Sequence, residues 1–267
     1  MTLRRRAGSA VPALAAAALL ATACAPHPER LAPAPEAAGV VVLPPDYDSR
    51  RAYPVVELLP PTGSTAEAIL QIYLAQAGLG ALYREPPQRQ LEALWPYLFP
   101  REGSGPGFLL ILARGRGRAS DYRTEAAWTG TIERYERRVL ADLAAAADHY
   151  RIDRSRLVLA GFSLGGDLAW AITLRNPDRL HGAIVMASRA SYRPTPDGAG
   201  DLDRRGTRFF LTMGSRDIGT RRRMATAAAD ELQRWGVPHR FEVIPRLGHG
   251  PAPLRVFAQA LRFVLER

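Results

Sequence analysis

Apolar residues in this chain fall into short, near-continuous runs, separated by longer stretches in which they return every three or four positions. The runs are VVVL (40–43), YPVVELL (53–59), GFLLILA (107–113), RLVLAG (156–161), GAIVMAS (182–188), RFFLTMG (208–214) and RFEVIP (240–245). Runs without polar alternation are those of strands covered on both faces. Between them, Glu125 to Tyr150 places Ile132, Val139, Leu140, Leu143 and Ala147 near one helical stripe, and Leu164 to Arg175 and Arg221 to Trp235 have helix length. Alternation of this kind predicts an α/β fold in a single domain, a mostly parallel central sheet with helices on both faces. In Thr65 to Pro100 the prolines of EPPQRQLEALWPYLFP predict a helix followed by an irregular loop near the active face. No internal repeat is present.

The chain has 267 residues, enough for one large core. Its first segment, residues 1–23, opens with arginines, continues with an apolar run too short to span a bilayer and ends in small residues, the pattern of a secretory signal. The single cysteine, Cys24, follows Ala21-Thr22-Ala23 directly. This resembles a bacterial lipobox, in which that cysteine is lipidated and becomes the new N-terminus. The departure is at position −3, where Ala21 stands in place of the usual leucine. Ala-Thr-Ala also satisfies ordinary signal cleavage, which leaves a soluble exported protein as the alternative to a lipid-anchored envelope protein. One cysteine allows no disulfide within the chain. Residues 24–39 are rich in Pro and Ala and read as a tether, with the folded domain at 40–267.

The formal charge is +10, and all 36 basic residues are arginine. They are spread through the chain without a nucleic-acid motif, so composition predicts a solvated basic surface and no nucleic-acid partner. Two clusters, ARGRGRASDYR (113–123) and GTRRRM (219–224), lie where loops overhang a pocket and could hold an anionic substrate group; solvated loops are the plainer reading. Trp128 is a candidate wall of an acyl pocket. No dinucleotide fingerprint, P-loop or metal-spaced cluster occurs, so no cofactor and no metal are expected.

The candidate chemistry centres on LVLAGFSLGGDLAW (157–170), where a buried strand runs through Gly-Phe-Ser-Leu-Gly into a helix. This is the G-x-S-x-G elbow, whose turn lifts Ser163 above the sheet and leaves no room for Cβ atoms at Gly161 and Gly165. A serine hydroxyl is a weak nucleophile and needs a base that is itself oriented. Of the five histidines, His249 alone lies in a Gly- and Pro-bounded loop after the last apolar run. Asp217 follows the run before it. Asp197, Asp201 and Asp203 read as a solvated turn, and Asp167 as a first-turn residue facing its helix dipole.

From about Val40 to the C-terminus the chain resembles the α/β-hydrolase superfamily, in its esterase branch of esterase D, feruloyl-esterase and polyester-depolymerase type. VVLPPDYDSRRAYPVVELL, the segment around Ser163, LTMGSRD and LGHGPAP carry the resemblance. It implies Ser163 as nucleophile, His249 as base and Asp217 as orienter in an esterase acting through an acyl-enzyme. The family usually has His-Gly after the early strand, where this chain has Pro60-Pro61. Proline has no N–H to donate, so the oxyanion hole is expected from Leu164 with Thr62 or Gly63, Thr62 preferred. Two other readings stay open, a serine peptidase of prolyl-oligopeptidase type and a silent hydrolase-fold binding protein of the envelope.

Overall fold

The computed structural model describes residues 39–100 and 107–266; residues 1–23, Cys24 and nearly all of the predicted tether lie outside them. The strands are β1 (Val40–Val42), β2 (Tyr53–Leu59), β3 (Leu109–Leu112), β4 (Ile152–Phe162), β5 (Gly182–Met186), β6 (Arg208–Gly214) and β7 (His239–Ile244). The helices are α1 (Glu67–Gln76), α2 (Pro87–Leu98), α3 (Glu125–His149), α4 (Leu164–Arg175), α5 (Pro196–Arg204), α6 (Gly219–Arg234) and α7 (Leu254–Leu265). One sheet runs in the order β1-β3-β2-β4-β5-β6-β7, and every pairing is parallel except β1 with β3. This is the arrangement of an α/β-hydrolase.

Period-two alternation sorts the strand side chains into two cores. Val56, Leu58, Val158, Ala160, Ile184 and Phe210 face α1, α2 and α7, which contribute Ile69, Leu94 and Phe257. Their neighbours Val55, Leu59, Leu159, Ala183, Val185 and Phe209 face the opposite layer, with Ile132, Leu168, Trp170 and Leu232. The central strands are buried on both sides, which accounts for the continuous apolar runs.

Three segments differ from the sequence expectation. The stretch read as a helix and an irregular loop holds two α-helices, α1 and α2, joined through a short 3-10 turn at Gly80–Leu82. Pro87 opens α2 at a position whose N–H has no helical acceptor in any case, so only Pro96 interrupts it. The Gly- and Asp-rich segment read as a solvated turn is α5, whose Thr195 side chain caps the Gly198 N–H at 3.3 Å. A seventh helix, α7, closes the sheet after the last strand, burying Leu254, Phe257, Leu261 and Val264.

Candidate active site

Strand order reverses between β2 and β4, and the carboxyl ends of strands at such a switch point form the crevice in which open α/β sheets bind ligands. Between Phe162, the last residue of β4, and Leu164, the first of α4, Ser163 makes the turn alone, at φ 57° and ψ −117°. Positive φ is costly for a residue with a Cβ and persists where the surroundings over-determine it. Here they do. The Ser163 N–H donates to the Met186 carbonyl at 2.9 Å. A Cβ on Gly161 would overlap the Gly165 backbone, and one on Gly165 would overlap the Leu59 carbonyl.

Asp217 and His249 come to the same crevice from the loops after β6 and β7. Ser163 Oγ lies 3.0 Å from His249 Nε2, and His249 Nδ1 lies 2.9 Å from Asp217 Oδ2. A carboxylate at Nδ1 places the ring proton there and leaves Nε2 to accept from the serine hydroxyl. The Phe162 ring packs beside the imidazole, with centroids 4.9 Å apart. The loops carrying the acid and the base are stitched to each other: Ser215 N–H donates to the Ile244 carbonyl and Arg216 N–H to the Leu247 carbonyl, both at 2.9 Å, and Arg246 N–H donates to Ser215 Oγ at 2.8 Å. Gly214 passes so close to the Leu247 and Gly248 carbonyls that no side chain fits there.

The other Asp217 oxygen accepts from the Ile218 N–H at 2.7 Å and from Arg221 Nη1 at 2.6 Å. Burial works to raise this carboxyl's pKa. The hydrogen bonds from His249, Ile218 and Arg221 outweigh it and hold Asp217 below the ordinary range. Arg221 was therefore missed as part of the constellation; its spacing of four residues from Asp217, at the start of a helix, is the signal that could have found it. The rest of GTRRRM does not face the serine: Arg222 donates to the Ser215 carbonyl and Arg223 to Thr220 Oγ1.

Of the two predicted second oxyanion donors, the structure rejects one. Gly63 N–H is taken by the Gly117 carbonyl at 2.8 Å, within a parallel bridge between Thr62 and Gly117. The Thr62 N–H has no hydrogen-bond partner among the described residues. Leu164 opens α4, so its N–H has no acceptor within the helix. Pro61 and Leu164 both press on Gly117, where a Cβ would lie 2.6 Å from the Pro61 oxygen and 2.6 Å from Leu164 Cδ2. The first arginine cluster therefore braces this loop, and Arg116 Nη1 donates to the Gly63 carbonyl at 3.3 Å.

Asp167 stands in the first turn of α4, as expected, but its contacts go beyond the helix dipole. It is buried, and Oδ1 accepts from Ser188 Oγ (2.6 Å), Arg189 N–H (2.8 Å) and Ala190 N–H (3.0 Å), while Oδ2 accepts from Tyr122 Oη at 2.6 Å. It ties the loop after β5 to the helix that follows Ser163. Trp128 stacks on Tyr122, with centroids 5.1 Å apart, and no contact brings it to Ser163. Behind the crevice, Glu57 on β2 is fully buried opposite Asp142 of α3, and Asp142 Oδ1 accepts the Gly39 N–H at 2.9 Å. Burial, and then the Asp142 carboxylate, push Glu57 well above the ordinary carboxylate range.

The remaining described histidines are engaged or placed elsewhere: His181 meets the Glu266 carbonyl, His239 the Val237 carbonyl, and His149 ends α3. Asp201 pairs with Arg204 on α5. Among the described residues no group of three or more His, Cys, Asp and Glu is arranged to hold a metal ion.

Comparison with known proteins gives the family and the fold. A family profile described as "Putative esterase" matches residues 35–234, stopping before β7 and His249. No curated protein sequence matches the chain. Among solved structures, a ferulic acid esterase from the anaerobic fungus Anaeromyces mucronatus superposes with a TM-score of 0.59 at 16% identity, covering 84% of this chain and 82% of that one. A fluorophosphonate-binding serine hydrolase of Staphylococcus aureus superposes at 0.52 and 15% identity, covering 85% and 91%. The BES protein of Bacillus cereus does so at 0.54 and 13%, covering 85% and 90%. At these identities the superpositions speak for the fold.

Proposed function

This chain belongs to the esterase family, and from that premise we propose that it hydrolyses carboxylic esters through an acyl-enzyme formed on Ser163. The observation that carries the reading is the relay from Ser163 Oγ to His249 Nε2 at 3.0 Å and from His249 Nδ1 to Asp217 at 2.9 Å. His249 takes the hydroxyl proton as the oxygen attacks the ester carbonyl, and Asp217 holds the ring and stabilises the imidazolium. The N–H groups of Leu164 and Thr62 receive the oxyanion. His249 then hands its proton to the departing alcohol. In the second half it activates a water, which attacks the acyl-enzyme and frees Ser163 and the acid.

The test is hydrolysis of p-nitrophenyl acetate, butyrate and octanoate and of methyl ferulate by the full chain, beside Ser163→Ala and His249→Ala. The ferulate belongs in the panel because one similar structure is a ferulic acid esterase. Losses of about 10⁶-fold in kcat are expected for both variants. No turnover of any ester, together with no labelling of Ser163 by a fluorophosphonate, would instead favour the silent binding protein. An intact triad that cleaves peptides and no ester would favour the peptidase.

For location, the leader and Cys24 support export with lipidation at that cysteine. A mature N-terminus of acylated Cys24 by mass spectrometry, with Cys24→Ser moving the protein from the membrane to the soluble fraction, is the expected outcome. An unmodified Cys24 on a soluble protein overturns it.

A further inference from the structure

A cavity of about 720 Å³ opens between the segment after β3 and one side of α3, and its walls gather Arg116, Arg118, Arg134 and Arg138 around Asp121 and Thr131. None of these residues belongs to the serine relay. Arg134 and Arg138 stand four residues apart on α3, a spacing that stacks like charges on one helical face and costs the helix stability. Both guanidinium groups lie over the Tyr135 ring, 5.5 and 5.6 Å from its centroid. The chain has brought two further arginines, from residues 116 and 118, to this already unfavourable pair.

One carboxylate, Asp121, lines the cavity with these four cations, while Asp142 acts on Arg138 from a neighbouring cavity; Asp121 is already committed. Asp121 is buried; Oδ1 accepts from Arg134 Nη2 at 3.0 Å and from Thr131 Oγ1 at 3.2 Å, and Oδ2 accepts the Arg118 N–H at 2.9 Å. Elsewhere arginines meet carboxylates one to one, as Arg156 meets Asp153 at 2.7 Å, Arg175 meets Glu136 at 2.9 Å and Arg208 meets Glu266 at 2.9 Å, or two to one, as Arg193 and Arg234 meet Glu231. An arginine-rich composition explains many surface cations. It does not explain four converging on one concave site with a single acid among them.

We propose that this cavity binds an oxyanion carrying two negative charges, of the class of phosphate monoesters and diphosphates. Planar guanidinium forks match phosphate oxygens in pairs, and arginine stays charged throughout the working pH range. The cavity is larger than a bare phosphate and is also lined by Tyr135 and Ala127, which leaves room for a second phosphate or an organic portion. Because arginine does not titrate, affinity follows the ligand and rises as a monoester gains its second charge near pH 6. Arg116 also donates to the Gly63 carbonyl beside the Thr62 loop, so the variants that test the cavity leave Arg116 in place.

Calorimetric titration of the full chain with inorganic phosphate, diphosphate and vesicles containing phosphatidic acid, a phosphate monoester, at low ionic strength tests it. Arg118→Gln with Arg138→Gln is expected to weaken diphosphate binding by about tenfold or more. Arg222→Gln with Arg223→Gln, which removes the same charge from a separate cavity of about 420 Å³ on α6, is expected to change it by less than about twofold. Gly130→Glu guards against misfolding: Gly130 lines the cavity, a Cβ there meets nothing within 4 Å, and glutamate favours helix, so the variant keeps its melting temperature and loses binding. Vesicle binding lost in the same variants assigns the phosphate to a lipid headgroup, and binding of diphosphate without vesicles assigns it to a free ligand. No binding of any probe, or equal weakening by both arginine pairs, overturns the proposal.

Discussion

Arg221 holds Asp217 from the side opposite His249: Nη1 lies 2.6 Å from Oδ1, while His249 takes Oδ2. Asp217 is thereby fixed at both oxygens, and its folded pKa lies below the ordinary value. A depressed carboxyl contributes stability that is present above its unfolded pKa and lost as pH falls through the folded one. Arg221→Gln is expected to lower stability at pH 7 by about 1–2 kcal/mol, with the gap from the parent closing as pH falls through the Asp217 titration. Turnover should drop about three- to tenfold as the imidazole loses its fixed orientation. Urea melts at pH 7 and pH 3, with kcat at pH 7, check both. A stability gap of equal size at both pH values would show that the arginine acts by packing alone.

Gly117 supports the Thr62 loop at contact distance, and the first atom of any side chain there would lie 2.6 Å from both the Pro61 oxygen and Leu164 Cδ2. Gly117→Ala is expected to displace both N–H groups assigned to the oxyanion. The predicted cost is about 10²-fold in kcat, with KM within about threefold because the ground-state ester barely uses those donors. Steady-state kinetics with p-nitrophenyl butyrate give the split. An unchanged kcat would take Thr62 out of the reaction.

Glu57 is a carboxyl whose folded pKa is raised well above 4.5 by burial and by Asp142. A group raised on folding supports the fold below its unfolded pKa, and that support is lost as pH rises through the folded value. Glu57→Gln keeps the shape of the neutral acid and removes the titration. The variant should match the parent near pH 4.5 and exceed it at pH 8 by about 1–3 kcal/mol. For a domain of this size that is about 2–4 °C of melting temperature per kcal/mol. Thermal melts across this range are the measurement; parallel curves would mean that Glu57 is ionised in the fold.

Much of this arrangement is legible in the chain because it rests on local signals. YPVVELL and RFFLTMG are strands over the residues expected, and LGGDLAWAITLR is a helix from its first residue to its last. Ser163, Asp217 and His249 could be placed because each follows a strand at the same edge of the sheet, where topology brings distant loops together. Composition misled where a cap overrode it: the glycines and aspartates of α5 suggest a turn, and the Thr195 side chain starts a helix there. LRVFAQALRFVL, by contrast, carries its 3.6-residue spacing openly, with Leu254, Phe257, Leu261 and Val264 on the buried face. Asp167 and Glu57 were illegible for another reason. Their partners, Tyr122, Ser188 and Asp142, lie 45, 21 and 85 positions away, and single-residue patterns carry no record of pairs that far apart.

The stitching of Ser215, Arg216, Ile244, Arg246 and Leu247 decides where this chain can change length. Residues 214–217 and 244–249 are joined by Ser215 to Ile244, Arg216 to Leu247 and Arg246 to Ser215, so one amino acid added to either would break this stitching and carry Asp217 and His249 out of reach of Ser163 together. The stretch from Ser191 to Pro194, partly exposed between β5 and α5, is held by other anchors, Trp170 Nε1 donating to the Tyr192 carbonyl at 2.9 Å and Arg193 pairing with Glu231 at 2.8 Å, so a change of length there meets those two contacts and not the loops of Asp217 and His249.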